Sequence, residues 1–175
     1  MMKINVIFLL ILSVNFTTCK TNTKKNIPKD KKEYEQTMQD VNKILIRKDM
    51  DKMIGFSRNH AWNMIADSTG FLYEIYEHGT GDTAVDGLLA TINYNIQLLD
   101  GTVCYSSDSL GSQTFLINHG GVVTGLQYGI LKMRVGDKAR FLFPPYLAHG
   151  LIGDEDKIPP MSIIYYDVEL LSLNK

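Results

Sequence analysis

The residue types that most often perform enzyme chemistry are scattered along this sequence rather than grouped. The sequence has no Gly-x-Ser-x-Gly nucleophile motif, no phosphate-binding P-loop and no Cys-x-x-Cys pair. Its four histidines, His60, His78, His119 and His149, are not spaced as metal ligands. The acidic run 154–156 lacks the rest of a calcium loop and is interpreted as a solvated tip. We therefore predict that this protein uses neither a metal nor a cofactor.

The most informative stretch runs from Gly120 to Leu171. Glycine-flanked apolar residues at 122–133 predict a short helix, and the runs at 138–143 and 163–171 predict strands. The loop between those strands is too apolar to be an ordinary solvated connection. Its prolines fix the backbone, and its apolar side chains are expected to pack against another part of the protein. It contains Pro144-Pro145, Ala148-His149-Gly150 and Ile158-Pro159-Pro160.

Taken in order, these motifs resemble the FKBP-type peptidyl-prolyl cis-trans isomerase family, over the chain from about Gly70 onward. The motifs are Asn93-Tyr94, Asp100-Gly101-Thr102-Val103, Val123-x-Gly125-Leu126-x-x-Gly129, Met133-x-x-Gly136, Phe143-Pro144-x-x-Leu147-Ala148-His149-Gly150, Ile158-Pro159-Pro160 and Asp167-Val168-Glu169-Leu170. The variants Val-Cys-Tyr-Ser-Ser at 103–107 and Phe-Leu-Phe-Pro at 141–144 are similar to exported lipoprotein members associated with gliding motility in Bacteroidetes.

The resemblance implies a proline pocket. Leu126 is expected at its floor, and the backbone N–H of Val123 is expected to bind a carbonyl of the substrate. His149 stands where the family usually has Tyr, and its ring N–H would replace the phenolic donor. The residues that fall at pocket positions are Tyr94, Phe115, Val122, Val123, Leu126, Ile158 and Tyr166, joined by His149 and by Tyr105.

Two further positions depart from the family pattern. Cys104-Tyr105 stands where the family usually has Phe-Asp, so an apolar wall and a carboxylate are lost, although the ring of Tyr105 refills part of the space. Gln113 occupies a position where some members have an aromatic residue. For each apolar pocket residue, ordinary core packing is the alternative interpretation.

Such a pocket would act on the peptide bond before proline without moving a proton. Amide resonance gives that bond a rotation barrier of about 20 kcal/mol. Twisting the amide returns electron density to nitrogen and shrinks the dipole of the amide. A dry, aromatic-lined site therefore stabilises the twisted transition state relative to the planar amide in water.

The first residues indicate an exported protein. A short basic start precedes the apolar run Val6–Leu12, which is too short to span a bilayer, so residues 1–18 are predicted to be a signal peptide. Cys19 at its end predicts a lipoprotein whose lipid anchors it to the cell envelope, facing the periplasm; an incidental cysteine beside an ordinary cleavage site is the alternative. Residues 19–30 are polar and basic and form the predicted lipidated tether. With Cys19 acylated, Cys104 has no disulfide partner.

Residues 31–66 are predicted to form a helical extension. Tyr34, Met38, Val41 and Leu45 make one apolar stripe, and the charges at 48–51 predict a break before a second helix over 52–62. The extension either forms a homodimer or binds a partner, as in some exported relatives, or packs as a helical pair on its own domain.

The remaining pattern is several strands, one short helix and two more strands. Apolar and β-branched runs at 71–76, 89–98, 103–105 and 113–117 predict strands, and Asp100-Gly101 predicts a hairpin. Residues 106–111 are predicted to be a bulged loop. We predict an α+β domain over residues 70–175, an antiparallel β-sheet wrapped around one short α-helix.

We expect the protein to isomerise X-Pro bonds in proline-containing polypeptide clients that are exported. The alternative is a non-catalytic module that binds peptide in the same groove or assists envelope assembly, and a chaperone role of the helical extension is a third possibility. A net charge of −1 gives no reason to expect nucleic acid as a partner.

Overall fold

A computed structural model describes residues 30–175. The predicted signal peptide, Cys19 and the tether up to residue 29 lie outside the described residues. The compact unit runs from Met38 to Lys175. The described residues before it belong to the first turns of a helix, where Lys31 and Glu35 form an exposed ion pair of 3.7 Å. Within residues 30–175, no helix has the length and apolar character needed to cross a bilayer.

The predicted α+β fold is confirmed: one seven-stranded sheet carries helices on its faces. All of its strand pairs are antiparallel, in the order β1-β2-β6-β7-β3-β4, and β5 pairs with β3. The strands are β1 (Ile65–Ala66), β2 (Leu72–Glu77), β3 (Leu89–Leu98), β4 (Val103–Ser106), β5 (Gln113–Leu116), β6 (Lys138–Phe143) and β7 (Ile164–Asn174).

Strand β3 organises one side of the sheet. Along one edge it pairs with β7 from Leu89, opposite Asn174, to Leu98, opposite Ile164. Along its other edge, the first half pairs with β5 and the second half with β4. The predicted hairpin closes at Gly101, whose φ of +89° is readily adopted only by glycine. Strand β3 therefore brings β4 and β5 side by side.

Helix α3 (Thr124–Ile130) packs on one face of the sheet. A β-carbon at Gly125 would overlap the ring of Phe143, and one at Gly129 would lie 2.8 Å from Phe141. The two glycines are four residues apart and so share one face of the helix. That spacing lets the helix backbone lie directly on the aromatic rings of β6.

Helix α1 (Lys31–Asn59) covers the opposite face of the sheet with its second half. Met53 is 1% exposed and packs with Leu72, Leu142 and Tyr165. The predicted break at 48–51 is wrong, because the helix continues through those residues. Asp49 is buried and pairs with Lys52 at 3.5 Å, which satisfies its charge without ending the helix.

Two local predictions also differ from the structure. The expected loop at 106–111 contains helix α2 (Ser107–Leu110), where the hydroxyl of Ser109 donates to the carbonyl of Ser106. The second predicted helix, over 52–62, is the end of α1, and Ile65–Ala66 then joins the sheet as β1. Local hydrogen bonds of serine explain the first difference, because they offer short turns that apolar periodicity does not show.

Candidate proline-binding groove

An open groove with a volume of about 220 Å³ lies where β3, β4 and β5 approach the start of α3 and the β6–β7 loop. Six of the nine predicted site residues line it together. They are Tyr94, Tyr105, Val122, Val123, His149 and Tyr166. They come from separate parts of the chain, so the fold rather than local sequence brings them together.

The other three predicted residues, Phe115, Leu126 and Ile158, do not line the groove. They are 4%, 0% and 2% exposed and belong to the main hydrophobic core, as does Tyr166. Tyr94, Tyr105, Val122 and Val123 pack against the same core. The three residues are therefore part of the apolar core on which the residues of the groove wall pack.

The aromatic walls differ in burial. Tyr166 on β7 is 4% exposed, and its ring meets that of Phe143 edge-on at 5.6 Å. Burial raises the pKa of the Tyr166 phenol, and nearby Tyr94 raises it further. Tyr94 is half-buried on β3, where the hydroxyl of Ser107 bonds its backbone N–H at 3.2 Å and its carbonyl at 3.3 Å.

The start of α3 presents a backbone donor to the groove. Val123 precedes the helix in extended conformation, and its carbonyl accepts from the N–H groups of Leu126 and Gln127. Among the residues that the structure describes, none accepts a hydrogen bond from the N–H of Val123. The buried side chain of Gln127 fixes the preceding loop, because it accepts from Asn118 N–H at 2.6 Å and donates to the Gly120 carbonyl at 2.7 Å.

Tyr105 forms the wall on β4, and its hydroxyl donates to Asp154 Oδ2 at 2.5 Å and to Asp156 Oδ2 at 3.2 Å. These carboxylates raise the pKa of the Tyr105 phenol, the hydrogen bond to Asp154 most of all. Burial would raise the pKa of Asp154, but hydrogen bonds from Tyr105 and from backbone N–H groups lower it to about 2. Asp154 and Asp156 are thus bonded to a residue of the groove wall, which corrects the interpretation of Asp154 as solvated, whereas Glu155 and Asp156 are exposed as expected.

Four groove residues were missing from the predicted site: Ile96, Leu110, Gln113 and Gly121. Ile96 lies two residues after Tyr94 on β3, so the alternation of side chains along a strand would have found it. The family resemblance already marks Gln113 as a position where some members have an aromatic residue, and the alternation from Phe115 on β5 would have added it to the predicted site. Leu110 belongs to α2, which had no apolar periodicity to reveal it.

A larger and more apolar cavity, about 320 Å³, lies between α1 and the β6–β7 loop. Its walls include Leu45, Ile46, Tyr146 and Met161, and it contains none of the predicted site residues. Of its polar side chains, Asp49 is already paired with Lys52 and Tyr146 donates to the Thr69 carbonyl. The smaller groove is therefore the better candidate site.

With this geometry in place, comparison with known proteins identifies the class. Residues 81–171 match the model of the family described as FKBP-type peptidyl-prolyl cis-trans isomerase, and the chain belongs to that family. It is 37% identical over 82 residues to human peptidyl-prolyl cis-trans isomerase FKBP9, a match that spans 46% of this chain and 14% of the human protein. It is 35% identical over 107 residues to FkpA of Escherichia coli K12, over 61% of this chain and 38% of FkpA.

Two other comparisons bear on fold and activity. The crystal structure of AtFKBP13 is similar with a TM-score of 0.61 and 31% identity, over 63% of this chain and 98% of that chain. The mouse protein named inactive peptidyl-prolyl cis-trans isomerase FKBP6 is 32% identical over 109 residues, 61% of this chain and 33% of that protein. The chain thus spans well under half the length of each of these curated relatives, and the family includes members without activity.

Proposed function

We propose that this protein is a peptidyl-prolyl cis-trans isomerase that acts on X-Pro bonds of exported polypeptides. The observation that carries the proposal is the convergence of Tyr94, Val122, Val123, His149 and Tyr166 on one groove above a sealed apolar core. A pyrrolidine ring placed against Tyr166 would leave water, and the Val123 N–H would hold a client carbonyl. The apolar contact favours the twisted amide, whose dipole is smaller, and the hydrogen bond orients the client.

Tyr166 and His149 would contact the client directly. The ring of Tyr166, backed by Phe143, lies at the buried end of the groove where the proline would sit. His149 offers a ring N–H toward the peptide group, and no proton transfer is required of it. Rotation then proceeds with the client carbonyl held and the amide nitrogen in an apolar environment, which is where the twisted bond is more stable.

A specific observation favours the alternative, a peptide-binding module without catalysis. The carboxylate that most family members place at position 105 is replaced by a tyrosine whose hydroxyl is already bonded to Asp154. Position 105 therefore has no carboxylate to offer the client. Binding of a proline peptide needs only the apolar walls, so it could survive without acceleration of isomerisation.

A proline-peptide isomerisation assay on residues 30–175 distinguishes the two functions. We expect the rate of cis-to-trans conversion to rise with protein concentration for the wild type and for Tyr105→Asp, which restores the usual carboxylate but loses the hydroxyl bonded to Asp154. If neither protein accelerates isomerisation while both bind the peptide, the binding module is correct. Heat-inactivated protein at the same concentration is the control for uncatalysed conversion.

We also propose that a lipid on Cys19 holds the protein at the cell envelope, facing the periplasm. The apolar run before Cys19 and the polar residues after it support this proposal. The resemblance to lipoproteins of gliding bacteria supports a role in folding proteins of that envelope. The proposal concerns residues outside the described part of the chain.

A homodimer through the N-terminal helices remains a proposal as well. Met38, Val41 and Ile44 on α1 are 42%, 42% and 65% exposed, an apolar surface that a second copy would cover. Sedimentation analysis of the wild type and of Val41→Glu would test it. A wild-type protein that is monomeric at every concentration of a dilution series starting at about millimolar would rule the dimer out.

A further inference from the structure

Resting on the proposed function, we propose that Asp154 is a positioning residue of the groove. It holds the ring of Tyr105 and the tip of the β6–β7 loop in the arrangement that receives the client. The family resemblance gives Asp154 no role, and its place in the acidic run predicted a solvated side chain.

The tip of the loop is built around the Asp154 side chain. Its Oδ1 accepts hydrogen bonds from the N–H groups of Asp156 at 3.0 Å and Ile158 at 2.7 Å. The N–H of Asp154 donates to the Ile158 carbonyl at 3.1 Å. Gly153 lies so close to the Ile158 carbonyl that a β-carbon at position 153 would overlap it. One carboxylate oxygen thus fixes the backbone that carries Ile158 into the core.

The second carboxylate oxygen of Asp154 fastens this tip to the sheet. Oδ2 accepts from the Tyr105 hydroxyl at 2.5 Å. The Lys157 ammonium lies 5.0 Å from the centre of the Tyr105 ring, and Cys104 Sγ lies 3.7 Å from the Lys157 carbonyl. Loop and strand β4 are therefore joined at Tyr105 and its neighbour. A hydrogen bond to an ionised carboxylate is stronger than one between neutral groups, and the lowered pKa of Asp154 keeps it ionised at neutral pH.

Tyr105 both lines the groove and contacts the β6–β7 loop. Tyr105 and His149 both line the groove, one on β4 and one on the loop that Asp154 fastens. Within residues 30–175, strand β4 is the last strand of the sheet on that side, and no neighbour there holds its outer edge. Without the link, the client would have to order both walls itself, which weakens binding by the entropy of that ordering.

The test compares Asp154→Ala, Tyr105→Phe and the double variant in the full chain, with Glu155→Ala as the matched control. Glu155 is the exposed neighbouring carboxylate. We expect each single variant to raise KM for a proline peptide about tenfold with kcat within about threefold, as for loss of ground-state binding. The double variant should be no worse than Asp154→Ala alone, because Tyr105→Phe then removes a link that is already broken. Glu155→Ala should behave as wild type.

A second readout does not depend on isomerase activity. The exchange rate of the Ile158 amide proton should rise about tenfold in Tyr105→Phe, since a freed tip opens more often. Unchanged exchange at Ile158 in that variant, an unchanged KM in Asp154→Ala, or fully additive effects in the double variant would each overturn the proposal. If the wild-type protein has no isomerase activity, the proposed function fails, and the Ile158 exchange still decides whether the link positions the loop.

Discussion

Gly125 of α3 lies so close to Phe143 of β6 that a β-carbon at position 125 would overlap the phenyl ring. The ring of Phe143 in turn meets Tyr166, the most buried wall of the groove. The lack of a side chain on Gly125 therefore allows the close approach of α3 to the sheet. The start of α3, with Val122 and Val123, is held at the groove by this contact.

Replacing Gly125 by alanine should destabilise the domain by about 2 kcal/mol, because the added methyl group overpacks a dense core. Gly55 on α1 is the matched control, since nothing lies within 4 Å of a β-carbon built there. Gly55→Ala should stabilise the protein by about 0.5–1 kcal/mol through helix propensity. Urea unfolding curves measure both changes. Equal effects of the two substitutions would contradict the close contact.

Truncation of Met53 tests how α1 is attached to the back of the sheet. Met53→Ala should cost about 3 kcal/mol, because the side chain is 1% exposed among Leu72, Leu142 and Tyr165. Ile54→Ala, at a neighbouring position that is 40% exposed, should change stability by less than about 0.5 kcal/mol. Fluorescence of Trp62, the single tryptophan, is a direct probe because its ring stacks on Tyr165 at 5.1 Å. A Met53→Ala protein as stable as Ile54→Ala would argue against this packing.

Asp67 should contribute stability that depends on pH. Burial alone would raise its pKa, but the ion pair with Lys132 at 2.8 Å and bonds from Thr69 lower the pKa to about 2. The folded pKa is below that of the unfolded chain, so the unfolded state takes up the proton first as the pH falls. Stability present above about pH 4 is then lost toward pH 2, by about 1–2 kcal/mol.

Asp67→Asn should remove that loss, so its unfolding free energy should vary less between pH 5 and 2 than that of the wild type. Thermal melts in a series of acidic buffers measure the difference. Asp82→Asn, at an exposed position, is the control and should keep the wild-type slope. A slope for Asp67→Asn that matches the wild type would exclude Asp67 as the source.

His149 should supply a hydrogen-bond donor to the client. His149→Phe keeps a ring of similar size and removes the donor, so kcat/KM should fall about tenfold, the value of one hydrogen bond. His149→Tyr, which restores the residue usual in the family, should stay within about threefold of wild type. His60→Phe, at the end of α1 and outside the groove, is the control. An unchanged kcat/KM in His149→Phe would remove the imidazole from the mechanism.

Cys19 should be acylated in cells. Growth with a labelled fatty-acid analogue should label the wild-type protein and place it in the membrane fraction, whereas Cys19→Ala should carry no label. Cys104→Ala is the matched control, because Cys104 is buried and should not affect labelling. A label that persists in Cys19→Ala would assign the lipid to another residue.

The strands of the domain could be predicted well because their apolar alternation is strong. The limits of β3 and β6 agree with the predicted ranges 89–98 and 138–143. The helix at 31–59 was predicted as two pieces, since a charged cluster at 48–51 looks like a break when the burial and pairing of Asp49 cannot be seen. The burial of Asp49 results from packing of the helix on the sheet, which the local pattern of charges does not show.

The residues of the candidate groove, like the secondary structure, could be predicted from the sequence only in part. Tyr94 and Val123 were placed through motifs that the family resemblance supplies, and both line the groove. The link between Tyr105 and Asp154 joins residues 49 positions apart, and Tyr105 departs from the family pattern at its position. Loops fold by local hydrogen bonds and tertiary contacts rather than by periodicity, so this part of the site could be found only in the structure.

Strand β7 lies inside the sheet, between β6 and β3, rather than at its margin. Almost the whole domain separates Leu89 from its partner Asn174, so the sheet cannot close early during synthesis. A nascent chain that lacks residues 164–174 leaves two neighbouring strands with unpaired backbone groups. Such pairing of remote segments is slow. Until β7 pairs, the facing edges of β6 and β3 therefore need protection against aggregation.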